Sequence, residues 1–244
     1  MDRMIYLSMA GAKANMQRQD VLAGNLANVT TTGFRAELQA TRAVPVRGDG
    51  ASTRVYAMET TVGYDDSAGP INYTGRSLDV AMQGKSWMAV QGLDGTEAYT
   101  RFGSLSVNTE GTLMTQNGYT VMGDGGPITL PPDTLPSIAP DGTVSAKQAN
   151  GKTTSVGKIK LVTPEAKLDR GEDGLFRSAD GNDLQADPNA RLQDGALEGS
   201  NVNPIENMVA MISASRQFET QMKMLQTAEA DEKAATQLLS GSGA

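Results

Sequence analysis

The chain has no cysteine and no histidine in 244 residues. Without cysteine there are no disulfides, no thiolate zinc site and no thiol nucleophile. Without histidine the commonest general base, the commonest metal ligand and every His-based triad are gone. Only carboxylate or Ser/Lys chemistry is left to an enzyme, and no motif marks either. Aromatics are scarce too, at 5%, with a single Trp. No apolar run approaches the length that spans a bilayer; the tightest cluster is Met208–Ile212. The start, Met1-Asp2-Arg3-Met4, has no basic n-region leading into an apolar core and cleavage site, so no cleavable secretory signal is expected. Basic excess is also missing. The net charge is −7, which argues against nucleic acid and against an anionic membrane surface. No cofactor, metal or small-molecule substrate is indicated.

Two ends that match each other, and a middle that does not, are what the sequence does contain. Residues 1–30 carry Ile5, Met9, Ala12, Met16, Gln19, Ala23 and Leu26 at alternating spacings of four and three, the seam of a helix lying lengthwise on another. Asn28 is expected to stop this helix in a left-handed conformation. Residues 201–244 predict a second helix. Asn203 caps it, Pro204 suits its first position and Glu206 its third. Its apolar positions are Ile205, Met208, Met211, Ile212, Phe218, Met222 and Leu225. Eight of the 13 methionines fall in these two helices. Thioether side chains adapt to neighbours of differing shape, so the helices are expected to touch other chains.

Between them, residues 31–75 read as an extended linker with a short strand or two, and residues 76–200 as an all-β body rich in hairpins. Alternating runs at Leu78–Gln83, Ser86–Gln91, Glu97–Arg101, Leu105–Asn108, Thr112–Thr115, Tyr119–Met122 and Lys158–Val162 predict strands. Asp-Gly or Asn-Gly pairs beginning at 94, 117, 141, 173 and 194, among others, predict the turns. Pro127, Pro131, Pro132, Pro136 and Pro140 argue against a central strand there. Trp87, Tyr99, Phe102, Tyr119 and Phe176 are candidate core anchors. The fold class is therefore α+β: paired, coiled-coil-like terminal helices around an inserted β body.

Two motifs suggest chemistry and do not sustain it. Gly84-Lys85-Ser86 resembles the end of a phosphate loop, but Asp79 stands where the first Gly belongs and a strand follows. The acidic stretch Gly171–Asp183 lacks the alternating ligands and closing Glu of a calcium loop, and turn chemistry explains it. On residues alone three classes stay open: an assembly subunit, a β-domain binding module dimerised by its helices, and a carboxylate hydrolase.

The segment Leu22-Ala23-Gly24-Asn25-Leu26-Ala27-Asn28-Val29-Thr30-Thr31-Thr32-Gly33-Phe34-Arg35 closely resembles the N-terminal signature of the flagellar rod and hook protein family. Gly24 departs from it, where the family usually has Asn. Ser200-Asn201-Val202-Asn203, followed by Glu206, Met208, Met211-Ile212, Arg216, Phe218-Glu219 and Lys223, resembles the family's C-terminal helix. Leu78–Ala81, Ala98–Arg101, Asn108 with Gly111, and Gly123–Ile128 match between them. The overall likeness is greatest to proximal-rod members; a distal-rod subunit is the alternative within the family.

The resemblance implies a non-enzymatic structural subunit of the flagellar basal-body rod. Its terminal helices would pack against copies of itself and other rod proteins. It would leave the cytoplasm through the flagellar type III export apparatus and transmit torque in the periplasm. The implied interface comprises Ile5, Met9, Met16, Leu22, Asn25, Leu26, Asn28, Gly33 and Phe34 from the first end. From the second it comprises Ile205, Met208, Met211, Ile212, Phe218, Met222 and Leu225.

Overall fold

A computed structural model describes residues 4–45, 55–148 and 151–241. The start Met1–Arg3, the loop glycines Gly48 and Gly50 and the tail from Ser242 lie outside them. The architecture is α+β, with a helix near each end and a β-rich body.

Helix α1 spans Met4–Ala27 and helix α2 spans Pro204–Gly241. Both are rich in Ala, Met, Leu and Gln, which lose little rotamer freedom in a helix. At 38 residues α2 is about 57 Å long. Asn203 caps it as expected: its Oδ1 accepts the amides of Ile205 at 3.1 Å and Glu206 at 3.3 Å. The stop of α1 differs from expectation. Asn28 does not adopt a positive φ, and among the described residues Asp133 is the only non-glycine that does. Instead the chain turns after Ala27 through Thr31, whose amide donates to Asn28 O and whose hydroxyl donates to Asn28 Oδ1.

The chain divides into two compact units at places other than the sequence boundaries suggested. One comprises residues 1–27, 37–62 and 203–244; the other comprises 28–36 and 63–202. In the helical unit α1 packs on α2 and on strand β1, Glu37–Pro45. Gly11 marks a close approach of the helices, since a Cβ there would press on the Gln221 amide at 3.1 Å. Strand β1 pairs with β2, Val55–Tyr64, in a two-stranded ribbon. The linker reading thus underestimated this region. Polar and apolar residues are mixed along it without a regular alternation. A lone ribbon is marginal in water, and α1 supports this one. Asn25, 5% exposed, uses its amide as a strand would: Nδ2 donates to Glu37 O at 3.0 Å and Oδ1 accepts Glu37 N at 2.9 Å.

In the β unit, a nine-stranded sheet among the described residues has seven strands in the order 168–170, 176–178, 97–100, 87–91, 120–123, 113–115, 105–107, with 161–162 also paired to 87–91 and 126–127 to 120–123. Strand Trp87–Gln91 is nearly continuous in apolar character because both its faces are covered. Met88 and Val90 enter a core with Val80, Leu105, Leu113, Val121 and Ile159. Trp87 and Ala89 enter a second core with Tyr64, Tyr99 and Phe176. Phe102 and Tyr119 are only half-buried. The Pro-rich stretch does contain a strand, Thr134–Ile138, but it lies at the edge of a three-stranded sheet, where Pro136 costs no ladder bond to a further strand. The Asp-Gly and Asn-Gly turns take the expected geometry, with positive φ at Gly95, Gly118, Gly142, Gly174 and Gly195.

Candidate functional site

Helix α1 turns small side chains inward. Ser8, Ala12 and Ala14 are buried, while Tyr6, Met9 and Met16 are more than half exposed. In α2, Ala214 is buried, and Met211, Phe218 and Leu225 are half-buried. Ile205, Met208, Val209 and Ile212 form an exposed stripe at helical spacing, and Met222 and Met224 are also open. The seam expected in α1 is therefore half right in phase. Ile5, Gln19 and Leu26 are half-buried and Ala12 buried, as the seam requires, but Ser8, Asn15 and Leu22 take the inward places assigned to Met9, Met16 and Ala23. Small inward residues such as Ser8 and Ala12 let the helices approach closely, and Met9 and Met16 are left on the outside.

The other expected interface residues are engaged within the chain. Asn25 holds β1. Asn28 and Gly33 are half-buried and Phe34 buried, all in the β unit. The guanidinium of Arg170 stacks 4.5 Å from the Phe34 ring centroid. Gly33 has φ +69°, and a Cβ there would run into the Arg101 carbonyl.

These residues lead to a node that sequence reasoning missed. Glu198 is 2% exposed and lies between two buried arginines. Its Oε1 meets Arg35 Nη2 at 2.9 Å and its Oε2 meets Arg101 Nε at 2.6 Å. Gly69 N donates to Oε1 at 3.0 Å, and Gly33 N donates to the Glu198 backbone oxygen at 2.8 Å. Arg101 spends its remaining donors on the carbonyls of Met82, Gly84 and Ser86. Arg35 Nη1 donates to Ser67 O. Burial first, and then the nearby Arg101 charge, pull the Arg35 pKa below its ordinary value; Glu198 only partly opposes this.

Beside it, Asn201 ties three passages of the chain together. Its Oδ1 accepts Ala36 N at 2.7 Å, its Nδ2 donates to Asp65 O and Ser67 O at 3.0 Å, and its amide donates to Phe34 O at 3.3 Å. The β unit is thus closed where the chain leaves it toward β1, re-enters from β2 and departs toward α2. The only sequence sign was that Gly33-Phe34-Arg35 and Ser200-Asn201 fell in the two quoted signatures.

Nothing here resembles a reaction centre. The acids of the Gly171–Asp183 stretch serve its turn: Asp173 accepts Leu175 N and pairs with Arg177 at 2.7 Å, and Arg177 also reaches Asp94 at 3.2 Å. Two helices with open apolar faces mark a subunit of a protein assembly.

Comparison with known proteins gives the family. A model described as flagella basal body rod protein matches residues 5–35. One for the flagellar hook protein FlgE/F/G D1 domain matches 81–146, and one for the flagellar basal body rod FlgEFG protein C-terminal region matches 193–238. The flagellar basal-body rod protein FlgF of Salmonella typhimurium is 45% identical over 250 residues, covering 98% of this chain and 99% of that protein. FlgF of Escherichia coli gives the same figures. FlgG of Bacillus subtilis is 32% identical over 252 residues, covering 93% and 95%. The chain belongs to the flagellar basal-body rod protein family and is FlgF-like within it.

Proposed function

We propose that this chain is a structural subunit of the proximal flagellar rod and polymerises through its two terminal helices. End-to-end similarity to rod proteins supports the assignment. The observation that carries the mode of assembly is the exposure, in the single chain, of Met9, Met16, Ile205, Met208, Ile212 and Met222. Burying a large apolar side chain is worth about 1.5–3 kcal/mol, so each such position favours a covering neighbour. In this reading the helices form a coiled-coil-like inner tube. Neighbouring rod proteins and further copies are the partners. The subunit reaches the periplasmic rod through the flagellar export apparatus and transmits torque there.

The test is a deletion strain complemented with wild type, Ile212→Asp or Leu26→Asp, followed by isolation of basal bodies. Ile212 is 55% exposed, so its variant should fold in isolation. Half-buried Leu26 needs a folding control. Both variants should restore little distal rod or hook. Normal basal bodies with Ile212→Asp would refute the interface, and complete basal bodies in the uncomplemented deletion would refute the rod role.

A further inference from the structure

A recess of about 80 Å³ opens in the β unit, large enough for a carboxylate head with a water or two. Its aromatic wall is Tyr64 and Trp87, whose rings meet edge-on at 5.7 Å. Arg35 and Arg101 line it as buried residues, and Lys85 and Lys167 as exposed ones. The exposed acids Asp66 and Glu165 line it as well.

The charges of the node do not cancel. Two buried guanidiniums share one direct carboxylate partner, Glu198, which leaves one positive charge without an ion pair at the node; Asp65 and Asp66 act on Arg35 without pairing with it. Arg35 Nε is the one buried side-chain nitrogen without a hydrogen-bond partner among the described residues. No carboxylate among the described residues lies in ion-pair range of Lys85 or Lys167; the Lys167 ammonium instead sits 6.0 Å from the Tyr64 ring centroid. A buried charge without an ion pair is costly until it is matched.

We propose that this recess binds a single carboxylate, supplied by an acidic side chain of a second copy or by a small free acid. A monoanion matches that one charge. A dianion such as phosphate would overshoot it and meet Asp66 and Glu165. The proposal does not depend on the rod assignment.

Trp87 is the only Trp and lines the recess, so its fluorescence responds to binding there. The full chain is titrated with acetate and with N-acetylglycinate, the ionic strength being held with chloride; inorganic phosphate is the comparator. The expected result is a saturable change in the millimolar range, weaker with phosphate. In the double variant Lys85→Glu/Lys167→Glu it should weaken roughly tenfold or more, with an unchanged urea midpoint. In a second arm the chain alone is diluted while Trp87 fluorescence and sedimentation are followed. If a second copy supplies the acid, the signal follows protein concentration and acetate dissociates the copies. If a free acid is the ligand, only the first arm responds. No saturable change in either arm, tighter binding of phosphate, or the same response in the double variant would overturn the proposal.

Discussion

Removing the shared carboxylate at the node should damage the β unit more than removing one of the arginines it holds. Wild type places Arg35, Arg101 and Glu198 together with a residual charge of plus one. Glu198→Ala raises that to plus two in a buried site, whereas Arg35→Met lowers it to zero. Breaking a buried ion pair by deleting one partner costs about 3–5 kcal/mol when a charge is left stranded. Glu198→Ala strands both guanidiniums and frees Gly69 N, so it belongs at the upper end. Arg35→Met leaves Ser67 O without that donor but keeps the Arg101–Glu198 pair at 2.6 Å, and should cost about 1–2 kcal/mol. The assay is urea unfolding followed by Trp87 fluorescence. That side chain is 4% exposed in the β unit and lies 5.8 Å from the Arg101 guanidinium. With a slope of about 2 kcal/mol per molar urea, the Glu198→Ala midpoint should fall by about 2 M and the Arg35→Met midpoint by less than about 1 M. Equal shifts, or a larger one for Arg35→Met, would refute the charge reasoning and leave packing as the explanation.

Further outcomes follow from single contacts. Asn201→Ala strips Ala36 N of its acceptor and Asp65 O and Ser67 O of a donor. It should cost the β unit about 2–4 kcal/mol, and faster amide exchange at Ala36 should locate the loss; unchanged exchange there would contradict the assignment. Gly24→Ala should stabilise the helical unit by about 0.5–1 kcal/mol, because a Cβ at that position meets nothing within 4 Å; a lower melting temperature by circular dichroism would count against it. Tyr64 and Tyr99 have pKa values raised chiefly by burial. The folded state therefore keeps protons that the unfolded state releases above about pH 10. Their contribution is complete below that pH and lost as pH rises past it, so the urea midpoint should drop on the alkaline side as tyrosinate absorbance appears with unfolding. A midpoint independent of pH there would disprove the coupling.

Local chemistry made the outline legible in the sequence. Asn203-Pro204 announced the start of α2, and the Asp-Gly and Asn-Gly pairs placed hairpin turns at Gly95, Gly118 and Gly142. Phase was harder. Met9 and Met16 looked like seam residues because they are large and apolar, yet inward positions next to a close helix favour small side chains such as Ser8 and Ala12. The short strand or two expected in the linker became the long strands β1 and β2, whose extent was hidden because an exposed ribbon buries too little to impose alternation. The node itself could not be read, although Arg35 and Arg101 lie in stretches that resemble the family. Arg35, Arg101 and Glu198 are scattered over most of the sequence, and no local spacing links them.

That separation has a kinetic consequence. The bond between Ala36 N and Asn201 Oδ1 joins residues 165 positions apart, and Arg101 and Glu198 are 97 apart. Contacts between distant residues must first overcome loop-closure entropy, and topologies dominated by them fold slowly. A chain emerging from its N-terminus can form α1 early, since helical turns are local. It cannot seal the β unit until residue 201 has arrived. Completion of the fold is thereby tied to completion of the chain, and a product truncated before Glu198 would have no means of closing.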